Sequence, residues 1–169
     1  MEMSFFTTIE KRRSVRSFSS KPVEKSKIQK ILKASWMAPS AKGMQNFRVF
    51  VVEDSRKKEK LIDATYGQEY VNSNFVLVFC SDPRRIKFMG SRGKNLLSVQ
   101  DATIAASYAQ LAAAALGLSR VWIGHFNEKQ VAKILKTKLR PIAIIPIGYG
   151  DEKPQPKENQ KMKDLFKRI

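Results

Sequence analysis

Cysteine and histidine each occur once in this chain, and no run of strongly apolar residues is long enough to cross a bilayer. Each scarcity closes a class of reading. Cys80 has no internal partner, so no disulfide framework holds the fold. Its setting, FVLVFC, reads as a buried inert thiol rather than a nucleophile, and a reducing, cytoplasmic compartment is expected. His125 stands alone, which argues against a His-based metal site or a Ser–His–Asp triad; it reads as an ordinary residue after a strand. There is no GxGxxG after a strand, no GxxxxGKS/T, no CxxC and no HExxH. A membrane span needs about 20 apolar residues, and the longest candidate is broken by Gln100, Asp101, Ser107 and Gln110. The start, MEMSFFTTIEKRR, carries its charges after its apolar residues, unlike a secretory signal. Acidic residues are also few. Fifteen Asp and Glu face 32 Lys and Arg, a formal net charge of +17 that raises the expectation of polyanionic or phosphate-bearing partners. Yet the basic residues are scattered in ones and twos, with no aromatic interleaving of the kind a single-strand platform needs. Most of them read as a solvated cationic surface.

What is present begins with Ser98 to Phe126. From Leu96 to Ser119 there is no Lys or Arg, and Asp101 is the only charge. Small and aliphatic residues favour helix here. Ala102, Ala105, Ala106 and Ala109 form one apolar face, and Ile104, Tyr108, Leu111 and Ala115 another. A helix apolar nearly all round is buried on several sides, by a core, a membrane or a partner. Gly117 reads as its stop, and VWIG as a short strand-like run. Hydrophobic content of 43% over 169 residues suits one globular domain, 1–169, with a sizeable core.

In chain order, Ser4 caps a short helix with Phe5 and Ile9 on one side. RRSVRSF follows; if extended, it sets Arg12, Ser14 and Arg16 on one face, where two guanidinium forks and a hydroxyl can hold a phosphate. A basic helix end and a solvated turn fit the same residues. A helix from about Glu24 to Met37 shows Ile28, Ile31, Leu32, Ser35 and Trp36 on one face and stops at Pro39. The loop PSAKGMQN presents backbone N–H groups and short side chains, as a ligand loop or a plain connection. Phe47 to Glu53 and the fully apolar Phe75 to Ser81 read as strands of a covered sheet, with a surface helix from Ser55 to Ala64 between them. Asp82 to Lys94 reads as a basic loop, lid or connection. Asn127 caps a short helix, Pro141 to Gly150 is the last strand, and the tail carries Met162, Leu165, Phe166 and Ile169 as an apolar side. Mixed α and β elements around one sheet are expected.

In this order, RRSVRSF, Pro22 to Asp54, Ser98 to Phe126 and Pro141 to Pro154 resemble the FMN-dependent nitroreductase family; Arg56 to Lys94 matches poorly. The resemblance implies an α+β fold, a central, mainly antiparallel sheet flanked by helices, in an intertwined homodimer with FMN at the subunit interface. The central helix would lie at the dimer centre, and the tail would reach the partner. Carried over residue by residue, Arg12, Ser14 and Arg16, with Arg13 adjacent, match the family's phosphate and ribityl contacts. Pro39, Ser40 and Ala41 match the loop packed on the flavin ring from the partner, and Gln45 the polar residue that follows. Trp122, Ile123 and Gly124 match the strand end beside flavin N5. Gly43 and Asn46 depart from the pattern, standing where Asn and Pro are usual. Lys157 and Lys161 are candidates for a C-terminal phosphate contact. The chain is short for the family, which implies a more open site with Arg84, Arg85, Lys87 and Arg92 near its mouth.

The implied activity is ping-pong hydride transfer from NADH or NADPH through flavin N5 to a nitroaromatic, quinone or similar acceptor. No catalytic side chain is then required, because the flavin carries the chemistry. The alternatives are a nucleic-acid-binding basic domain, which the scattered charge disfavours, and a flavin-binding protein with a non-reductase activity on the same fold.

Overall fold

The computed structural model describes residues 3–86, 89–154, 156 and 159–169. Four strands form one sheet in the order β1-β2-β4-β3: β1 (Phe47–Val52), β2 (Phe75–Ser81), β3 (Ser119–Arg120) and β4 (Arg140–Gly148). Every neighbouring pair is antiparallel. β2 lies in the middle because all seven of its residues are buried. Its side chains alternate between two cores, as the pleat requires. Phe75, Leu77 and Phe79 join one cluster, Val76, Val78 and Cys80 the other.

Helices cover both faces. α1 (Phe5–Lys11), α2 (Lys25–Trp36) and α5 (Ser98–Ala115) belong to one side, and α3 (Ser55–Ala64) and α6 (Glu128–Ile134) to the other. Ser4, Asp54 and Asn127 each cap the helix that follows, their side chains accepting from the backbone N–H three residues on, in its first turn. A four-residue helix, α7 (Met162–Leu165), lies in the tail, all exposed.

The stretch expected to be a loop, Asp82 to Lys94, is helical in its second half. α4 (Gly90–Arg92) and a π-helical segment (Gly93–Leu97) run without a break into α5. Gly93 makes that possible: a Cβ there would stand 2.4 Å from Met89 Cβ and 3.3 Å from Ile86 Cδ1. Lys87, expected near the site mouth, lies outside the described residues, as does Lys157.

α5 packs Ala102, Ala105, Ala106, Ala109 and Ala113 into the core, all fully buried. Its other face stays partly open: Tyr108 is 41% exposed, and Ile104 and Leu111 are half-buried. Trp36, expected on the buried face of α2, is 64% exposed instead, and Phe5 is 63% exposed. Among the described residues no helix is long and apolar enough to cross a membrane.

Candidate functional site

RRSVRSF is extended and docked by its backbone. Ser14 forms a parallel bridge with Arg120 of β3, and the Val15 N–H donates to the Arg120 carbonyl at 3.2 Å. At the other end Phe18 bridges Gly150, Ser19 N–H donates to the Tyr149 carbonyl at 2.8 Å, and Asp151 N–H to Ser17 at 3.0 Å. Val15 is buried, so the alternation leaves Ser14 half-buried and Arg16 exposed on the opposite side. Arg12 caps α1 and is half-buried. Arg13 turns back, donating to the carbonyls of Glu10 and Arg12. The Arg16 amide donates to Glu152 at 2.5 Å.

The loop 39–46 is held from α5. The carboxylate of Asp101, 2% exposed, accepts from Ala41 N–H at 2.9 Å, Asn46 N–H at 3.2 Å and Asn46 Nδ2 at 2.7 Å. All three of its partners belong to its own chain. The loop needs this anchor, because Lys42 and Gln45 both have left-handed backbone, at φ 49° and 51°, which costs free energy in residues bearing a Cβ. Gln45 is fixed further, its N–H donating to Ser40 Oγ and its Nε2 to the Trp36 carbonyl. Pro39 is exposed, and Ser40 and Ala41 are half-buried. With Leu97, Asp101 and Ile104 these three line an open groove of about 470 Å³.

A clip that the sequence did not reveal ties the loop to the Arg-rich stretch. Arg85 Nε donates to the Met44 carbonyl at 3.1 Å, and Asp82 N–H to the Asn46 carbonyl at 2.9 Å. Asp82 is buried and accepts twice from Arg84, with Arg48 3.6 Å away. The Arg84 hydrogen bond, then the charges of Arg84 and Arg48, hold its carboxyl below the usual carboxylate range despite burial.

Ile123 pairs with Ile144 through both backbone groups, at 2.9 and 3.1 Å, and is buried. Gly124 beyond it is exposed, with Trp122 half-buried beside it. His125 is exposed; its ring lies 4.7 Å from Tyr66, and its carbonyl accepts from Gln68. Among the described residues no group of His, Cys, Asp and Glu suits a metal. Burial pushes the Cys80 thiol up to about 12, which leaves it protonated and inert.

The structure brings the strip 12–18 and the strand 119–124 together, but not the loop 39–46 with the strip. The loop is bonded to Asp101 in the first turn of α5, while Arg120 follows that helix's far end. At 1.5 Å per residue, Asp101 and Ala115 are roughly 20 Å apart. Within one chain the loop and the strip stand apart.

Arg120 itself was missed. It lies one residue beyond the charge-free run and is only 5% exposed. Its Nη1 donates to the Leu118 carbonyl, while Nε and Nη2, both buried, have no partner. Burial, with the neighbouring Arg12 charge adding to it, lowers its pKa to about 10, so it remains a cation at neutral pH. The only signal in the sequence is a single Arg inside LGLSRVWIG.

The family model described as Nitroreductase family matches residues 9–73 and 66–149. A putative NADH dehydrogenase/NAD(P)H nitroreductase of Archaeoglobus fulgidus is 33% identical over 150 residues, covering 84% of this chain and 83% of that protein. Among solved structures, B. megaterium NfrA2 superposes with a TM-score of 0.91 at 23% identity, covering 98% of this chain and 74% of that one. The NADPH:FMN oxidoreductase from Vibrio harveyi, complexed with NAD+, gives 0.89 at 26% identity, over 97% of this chain and 76% of that one.

Proposed function

The chain belongs to the nitroreductase family, and we propose that, as an NAD(P)H-dependent flavin oxidoreductase, it reduces nitroaromatic, quinone or similar small acceptors. The observation that carries this reading is the docked strip at β3. Arg12, Ser14 and Arg16 stand there with no ion pair among the described residues, beside the unpartnered N–H groups of Arg120. A phosphate monoester, with close to two negative charges at neutral pH, fits such a donor set. FMN carries that group.

When bound, FMN supplies the exchange of a hydride between donor and acceptor. The chain's own residues bind and orient. Arg12 and Arg16 attract the phosphate, and Ser14 offers a hydroxyl. The exposed end of the strand, after the pinned Ile123, offers the Gly124 backbone beside the Trp122 ring. Pro39, Ser40, Ala41 and Gln45 offer a wall held rigid by Asp101. Since the wall and the strip are roughly 20 Å apart along α5, a complete site requires a second copy, and we read the protein as a homodimer. Phe5, Tyr108, Leu111 and Ala115 support this, because they line an apolar groove of about 420 Å³ on the open side of α5. NAD(P)H is a donor met inside the cell, which keeps the cytoplasmic expectation.

The test is the visible spectrum of the purified protein before and after anaerobic NADH. Flavin bands that bleach, and recover with a quinone, are expected. A colourless protein that fails to bind added FMN overturns the reading. Arg12→Ala combined with Arg16→Ala should release FMN while leaving the circular dichroism unchanged.

A further inference from the structure

We propose that Arg120 is a buried second cation of the FMN phosphate site, a residue that makes the fold less stable without the cofactor and selects FMN over riboflavin. The inference rests on the flavin reading above and deepens it, giving Arg120 a part in the stability of the empty fold and in the choice between flavins.

Among the described residues, the other buried charges are each satisfied inside the chain. Asp101 accepts three hydrogen bonds, and Asp82 is paired with Arg84 and Arg48. Lys58, 9% exposed, donates to the Ser73 carbonyl at 2.7 Å. Arg120 is the exception among the described residues. It is more buried than Lys58, has no carboxylate beside it, and leaves two N–H groups unpaired. The charge identified as acting on it is Arg12, of the same sign. A buried ion without a counter-charge is strongly unfavourable, and each unpaired donor adds its own desolvation cost. A Met or Leu would fill the space of the aliphatic stem with none of this. Such a cost within the fold is offset if an anion completes the site.

The position identifies the anion. The Arg120 carbonyl accepts from the Val15 N–H, and Arg120 bridges Ser14, which places its backbone directly against the strip already read as the phosphate contact. Two guanidinium groups in a low-dielectric setting repel each other until a dianion lies between or beside them, and the attraction then exceeds that of either in water. Only the phosphate distinguishes FMN from riboflavin, so the effect must appear in that ratio and not in ring binding.

The test titrates flavin-free full-length protein with FMN and with riboflavin by fluorescence quenching, and measures melting with and without inorganic phosphate. Wild type should prefer FMN by more than a hundredfold and melt higher in phosphate. Arg120→Met should weaken FMN ten- to a hundredfold, leave riboflavin within twofold, abolish the phosphate effect, and melt at the same temperature as wild type or above it without ligand. Arg120→Lys should keep part of the FMN preference, because it retains the charge without the fork. If wild type binds neither flavin, the flavin reading itself fails. If wild type binds FMN but Arg120→Met and Arg120→Lys keep the full FMN-to-riboflavin ratio, or lose both flavins equally with a lowered melting point, Arg120 is structural and the proposal is overturned. It is also overturned if Arg120→Met alters only the preference between NADPH and NADH, because the anion would then be the phosphate of the donor.

Discussion

Asp101 and Arg120 stand at the two ends of one helix–strand unit, both buried, both charged, and treated oppositely by the fold. Asp101 faces three N–H groups at 2.7 to 3.2 Å, whereas Arg120 has one carbonyl, two orphaned donors and a second arginine nearby. The contrast separates two uses of a buried charge. A satisfied one fixes local geometry, here a loop with two left-handed residues that a plain connection would not hold. An unsatisfied one leaves the chain short of a partner, and its place beside Ser14 indicates which partner. In our proposal, stability belongs to the Asp101 end and phosphate binding to the Arg120 end.

The largest expected effect breaks the satisfied end. Asp101→Ala strands three donors and should cost about 3 kcal/mol of stability, read as a lower urea midpoint, with FMN binding reduced because the wall 39–46 loosens. Asp101→Asn keeps one acceptor oxygen and should fall between. A smaller change acts on the other end alone. At Gly150 a Cβ would stand 2.4 Å from Ser119 Oγ and 3.1 Å from Val15 Cγ1. Gly150→Ala should therefore push the strip off β3, costing about 1 to 2 kcal/mol and weakening FMN more than riboflavin. If both flavins weaken equally, the division between the two ends is wrong.

The pH dependence sharpens the comparison further. Asp82 clips the loop end through Arg84 and Arg48, and its folded pKa lies below the unfolded value. Its contribution is complete above the unfolded pKa of about 4 and is lost as pH falls through the depressed folded value. Urea midpoints for wild type and Asp82→Asn should differ at pH 6 and converge in acid. A constant difference down to pH 2 would remove the linkage. The smallest effect belongs to Cys80, remote from both ends in the chemistry. With its thiol pushed up to about 12, it should resist thiol reagents until the protein unfolds.

The elements near this unit were legible to different depths. The unbroken apolar run of Phe75–Ser81 and the caps at Ser4 and Asn127 are local signals, and the strand and helices they announce are present. The strip 12–18 was legible only as one of two forms, extended or a basic helix end with a solvated turn, and its backbone pairing to Arg120 and Gly150 decides for the extended one. Asp82 to Lys94 misled, since glycines and arginines signal a loop, yet Gly93 serves close packing in a helical turn. Trp36 misled too: its spacing fits the apolar face of α2, but one chain leaves it exposed. Periodicity tells which side of a helix is apolar, not what will cover it.

The sequence by itself determined the elements, the two-sided apolar character of α5 and the residue types that suit a phosphate, because these depend on composition and short-range spacing. It also determined the family, through motifs in a fixed order. Only the tertiary structure decided what the two lone charges do. Asp101 lies 60 residues from Ala41, and Arg120 more than a hundred from Arg12. Whether a buried charge is paired or left wanting depends on which distant backbone groups the fold places against it, and no local pattern encodes that.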